Sequence, residues 1–117
     1  MAVKKLEKSQ WEEYFNEFDK KYREGQIPAK EVQIEIVNEE IGDQVETWWQ
    51  PLIGLAYDPK DDEFEVAAER HDHLIHKPVE IYVDEDVDGS IKTVEVIQED
   101  GTKHIIKLRT PEALPEK

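Results

Sequence analysis

Apolar residues recur with two different periods along this chain. Trp11, Tyr14, Phe15, Phe18 and Tyr22 fall at i, i+3, i+4, i+7 and i+11, which is one stripe of an α-helix. Ser9 and Glu12 stand just ahead of the stripe in the S-x-x-E spacing of a capping box, and Gly25 and Pro28 supply stop signals. The spacing predicts a helix over residues 9–24. Its aromatic face is expected in a core rather than around a ligand, because rings of this size supply much of a small domain's buried area. The face with Glu12, Glu13, Asn16, Glu17, Lys20 and Lys21 suits water.

After Pro28 the period becomes two. Val32, Ile34 and Ile36 alternate with Gln33 and Glu35, a half-buried strand. A polar turn over 38–43 follows, then a mostly apolar stretch from Val45 to Tyr57 interrupted by Pro51, read as two strand pieces or one strand bent at the proline. The turn Asp58-Pro59-Lys60-Asp61-Asp62 leads into a strand with Phe64, Val66 and Ala68 on one side. Further strands are expected over 79–83, 91–98 and 104–109, the last two following the Asp88-Gly89 and Asp100-Gly101 turns. Residues 1–8 and 110–117 carry too little apolar pattern to be placed and are expected as a loose N-terminus and a loose C-terminal tail. Short links favour antiparallel neighbours, so the prediction is a single α+β domain over 9–109. An amphipathic helix packs on a curled antiparallel meander of about six strands, open or partly closed into a barrel.

Composition narrows the function classes. The 117 residues hold 15 Lys and Arg against 29 Asp and Glu, a formal net charge of -14. Such a surface repels phosphates, so neither nucleic acid nor an anionic membrane is an expected partner. There is no cysteine, hence no disulfide framework and no thiolate chemistry, which fits a reducing, cytoplasmic setting. No apolar run approaches the roughly 20 residues that span a bilayer.

The order of these elements resembles a family. A Trp-x-x-Tyr-Phe-x-x-Phe helix opens the domain. Pro51-Leu52-Ile53-Gly54-Leu55-Ala56-Tyr57-Asp58 and His73-Leu74-Ile75-His76-Lys77-Pro78-Val79 follow, and the two Asp-Gly turns close it. The arrangement is similar to a small prokaryotic family known as domain of unknown function fifty-three thirty-five. The resemblance covers about residues 9–109. It implies a small stand-alone domain and brings no catalytic residue or ligand with it.

Three clusters are candidates for chemistry. Residues 84–95 fit the D-x-D-x-D-G-x5-E pattern of a calcium loop. Asp84, Asp86 and Asp88 would supply oxygens, Ser90 its carbonyl and Glu95 a closing bidentate carboxylate. The flanks alternate like strands, whereas that loop needs a helix on each side, so an acidic hairpin turn is the expected state and calcium the alternative. His71 and His73 lie two apart, on one face of a strand, with Asp72, His76 and His104 in the same neighbourhood or on the last strand; a transition metal at His71 and His73 is the second alternative. Trp48 and Trp49 are the third cluster. Successive strand residues face opposite ways, so one is expected in the core and the other outside as an interaction anchor, unless a doubly covered sheet buries both.

No activated nucleophile, phosphate loop or dinucleotide fingerprint is present, and the serines at 9 and 90 have simpler roles as cap and turn. The expectation is therefore a non-enzymatic interaction or accessory module without a cofactor. It would act on a protein partner or pair with a second copy of itself.

Overall fold

The computed structural model describes residues 2–40, 42–86 and 90–111. The chain runs through β1 (Ala2–Leu6), a single 3-10 turn (Lys8–Gln10), α1 (Trp11–Arg23), β2 (Glu31–Asn38), β3 (Gly42–Asp58), β4 (Glu63–Ala68), β5 (Asp72–His76), β6 (Pro78–Glu85), β7 (Ile91–Gln98) and β8 (Lys103–Arg109). The class is α+β, as the two periods predict.

The helix forms where its aromatic stripe lies, with a different start. A capping box is present, but Glu7 and Gln10 make it and it closes the 3-10 turn; Ser9 lies inside that turn. At the other end Gly25 adopts φ 80°, and the amides of Gly25 and Gln26 reach back to the carbonyls of Tyr22 and Lys21. That is a Schellman ending, which a side chain with a Cβ adopts only at a cost.

The hydrogen-bonded strand order is β1-β6-β7-β8-β2-β3-β4-β5, all antiparallel. Two meanders, β2 to β5 and β6 to β8, are joined by the β8–β2 pair. The eight strands exceed the expected six by β1 and β5, which are the two ends of the order. Residues 2–6, read as a loose terminus, pair with β6 instead. Among the described residues β1 and β5 do not pair, so the sheet stays open.

Strand β3 is one long element shared by two partners. Residues 42–51 pair with β2, and residues 52–58 pair with β4. The exchange happens at Pro51, which has no N–H to give a ladder. There Leu52 donates to the Lys30 carbonyl and Glu69 donates to the Pro51 carbonyl. Beyond this hinge one edge of β3 is without β2, and α1 covers it. Asp19 Oδ1 accepts the Leu55 N–H at 3.1 Å, and the Tyr22 hydroxyl donates to the Leu52 carbonyl at 2.7 Å.

The inner side chains of both halves meet the helix stripe. Trp11, Phe15 and Phe18 are buried, with Phe15 edge-on to Phe64 and Trp11 edge-on to Tyr57. Val32, Ile34, Ile81, Val94, Val96 and Ile106 floor the core from the larger part of the sheet. No helix among the described residues is long and apolar enough to cross a membrane.

Candidate functional site

The register of β3 slips three times, and the two slips that leave apolar side chains outside lie at Trp48-Trp49 and at Ile53. Val32 pairs with Gln50 and Ile34 with Thr47, so Trp48 and Trp49 together stand opposite the single residue Gln33. A bulge of this kind inserts one residue into the pleat and sends neighbours to the same side. Trp48 is 70% exposed, and Trp49 is half-buried. The expectation that one tryptophan enters the core is therefore corrected, as is burial of both; the core indole is Trp11. The Arg109 guanidinium lies over the Trp49 ring, 4.0 Å from its centroid, and its Nε bonds Glu31 at 2.9 Å. Trp49 is thus clamped in place, and Trp48 beside it is left to solvent.

The second of these two slips lies at Ile53. Leu52 pairs with Ala68 and Gly54 with Ala67, leaving Ile53 as the extra residue, 57% exposed. Trp48, Trp49, Pro51, Ile53 and Ala56 consequently follow one another along the outer side of β3, while Gln50, Leu52, Leu55 and Tyr57 turn inward. On the same outer side, Ala56, Glu65 and Leu74 form a row across β3, β4 and β5, with Leu74 45% exposed.

The described part of the acidic motif over 84–95 lies on and beside two paired strands. Its flanks are the strands β6 and β7 rather than helices. Asp84 lies on β6 between Val3 and Thr93, and Asp86 follows the strand end. Asp88 lies outside the described residues. Glu95 is placed opposite Tyr82 within the ladder and is 3.6 Å from Lys103. The Ser90 carbonyl accepts the Asp86 amide at 2.7 Å, a closing bond of the hairpin. Among the described residues, one oxygen of Asp84, Oδ1, is buried without a hydrogen-bond partner, in a pocket that Thr93 and Glu95 also line. Among the described residues no three His, Cys, Asp or Glu side chains gather closely enough to hold a metal ion.

The histidine cluster is rearranged in the same way. His71 precedes β5 and is exposed. His73 turns to His104 on β8, with Nε2 3.0 Å from Nδ1. His104 Nε2 meets Gln98 Oε1 at 2.8 Å, and Gln98 Nε2 donates to the His76 carbonyl at 2.9 Å. A carbonyl only accepts, which orients the Gln98 amide; Gln98 Oε1 then needs the proton of His104 Nε2, and His104 Nδ1 must accept from His73. This relay ties β5 to β7 and β8. Burial, followed by the neighbouring His73, pushes the His104 imidazole down to about 4. Sequence spacing pointed to His71 and His73; Gln98 carried no signal, and His104 becomes a partner only when the fold brings β8 beside β5.

Other side chains are shifted by burial and by a neighbouring carboxyl group. Tyr14 on α1 donates to Glu85 on β6, and burial, with Glu85, raises its phenol. Tyr57 donates to Asp62 at 2.6 Å, and burial with that carboxylate pushes it up to about 12. Glu65 is raised by burial first, then by its hydrogen-bonding neighbour Asp72.

Comparison with known proteins adds relationship without chemistry. The chain is 51% identical over 117 residues to an uncharacterized protein of Aquifex aeolicus (strain VF5), a match that covers 99% of this chain and 100% of the relative. No solved structure matches it. Residues 2–117 match the model of a family of unknown function (DUF5335), and the chain belongs to that family.

Proposed function

We propose that this chain is a non-enzymatic protein-interaction module that engages a partner through the outer side of β3. The observation that carries the reading is Trp48, 70% exposed on a bulge and held beside a tryptophan already fixed by Arg109. A large rigid ring presented to water on a strand, with its neighbour immobilised, loses little entropy when it is covered, which is what an interface anchor requires. The strongly shifted groups support a role without catalysis. Tyr14 and His104 spend their polar atoms on bonds between elements, and Tyr57 on the turn after its own strand, rather than converging on a cleft. The cysteine-free chain fits a cytoplasmic setting for this module.

The test is a photo-crosslinking residue placed at Trp48, expressed in the native host, beside the same residue at Glu17 on the exposed side of α1. The expected result is a discrete adduct from position 48 that position 17 does not give. Absence of an adduct at 48, or identical adducts from both positions, would contradict the reading.

A further inference from the structure

The partner's chemistry can be narrowed, given the interaction reading above, from the charges around the apolar stripe. Most acids on the outer face of this sheet have a cation beside them. Glu31 meets Arg109, Glu35 meets Lys107, Glu80 meets Lys5 and Glu95 meets Lys103. Glu63 is held by His76. Among the described residues, Glu65 and Asp72 have no lysine or arginine. They lie on adjacent strands, half-buried Glu65 opposite Leu74 and Asp72 two residues along, hydrogen-bonded to each other. Like charges at this spacing on a sheet oppose its stability. Asp19, on the helix, adds a further negative field at Glu65.

We propose that this face docks a basic, apolar segment of another protein, its apolar side chains covering Trp48, Ile53 and Leu74 and a lysine or arginine seated between Glu65 and Asp72. Three features fit that occupant. The exposed apolar residues flank the carboxyl pair, with Ile53 on one side and Leu74 on the other. A cation there would offset the crowding of negative charge that, with burial, raises Glu65. A chain of net charge -14 repels a second copy of itself as well as phosphate-bearing partners, and it steers basic ones.

The test uses three synthetic ten-residue peptides titrated by calorimetry at roughly 150 mM salt, where the Debye length is about 8 Å and long-range attraction is screened. One alternates Leu and Lys, one alternates Gly and Lys, and one alternates Leu and Glu. Saturable binding is expected for the Leu–Lys peptide alone. Its affinity should fall about tenfold in Glu65→Gln and about tenfold in an Ile53→Ser/Leu74→Ser double variant, losses of about 1.4 kcal/mol each. The three residues are outside the core, and melting curves check that the variants fold. Equal binding of the Gly–Lys peptide, affinities unmoved by the variants, or no saturation by the Leu–Lys peptide would overturn the inference. So would a dimer in sedimentation that the double variant abolishes, because the face would then belong to a second copy. An adduct at position 48 together with any of these failures leaves the interaction reading standing and removes only the basic partner; no adduct removes both.

Discussion

His104 shows how one buried side chain converts a fold into a pH dependence. Its imidazole is held neutral with its pKa at about 4 against an ordinary 6.5. Between those values the unfolded chain binds a proton that the folded chain refuses, so stability rises with pH across this window. The contribution is complete above about 6.5 and is lost progressively as the pH falls toward 4. The geometry agrees: a proton on Nδ1 of His104 would face the N–H of His73 and break the relay. Urea midpoints measured across this range should therefore slope more steeply for the natural chain than for His104→Gln. Equal slopes would show that His104 is not the group responsible. Glu65 works in the opposite direction, since its raised carboxyl favours the folded state as pH falls, so the informative quantity is the difference between the two slopes.

At the scale of elements, the joint between α1 and β3 decides whether the long strand can change partners. A Cβ at Gly54 would sit 2.5 Å from Asp19 Oδ1, the atom that caps the Leu55 amide. Gly54→Ala should therefore cost about 1–3 kcal/mol, because the carboxylate must withdraw and leave that N–H without its charged acceptor. Asp19→Ala should lose a similar amount, and the double variant should lose much less than the sum, since both remove the same bond. Additive losses in chemical denaturation would contradict this account of the joint. The same strand shows why the site was only partly legible in the sequence. Trp48-Trp49 and Ile53-Gly54 are each a place where one residue is added to a regular alternation. An extra residue leaves no mark in composition and becomes visible only in the register against the neighbouring strand.

For the whole molecule, what could be read depended on how far apart the contacting residues lie. The helix stripe is local, and Trp11, Phe15 and Phe18 are buried as their spacing implies. The strands with clear alternation were found as well. The edges were not: β1 and β5 bury little beyond Leu6 and Ile75, so their alternation is faint, and β1 is recruited by β6 across most of the chain. His73 and His104, 31 positions apart, meet because β5 folds back beside β7 and β8, whereas His71 and His73 looked like a pair only because they are close in sequence. The described part of the calcium pattern shows a related effect. A strand carries Glu95 into a ladder and an ion pair, where a helix would have returned it to the loop. What remains at molecular scale is an acidic body with one outer strand left apolar by two slips in register.

Residue-resolved hydroxyl-radical footprinting tests that claim most directly, by comparing the purified chain with the same chain in native-host extract. Trp48, Ile53 and Leu74 should oxidise readily when pure and be protected in extract, while Val3 and Val79, exposed elsewhere at 59% and 47%, should oxidise equally in both. Equal oxidation of Trp48 in the two samples, or protection confined to Val3 and Val79, would show that the outer side of β3 is not the surface this protein uses.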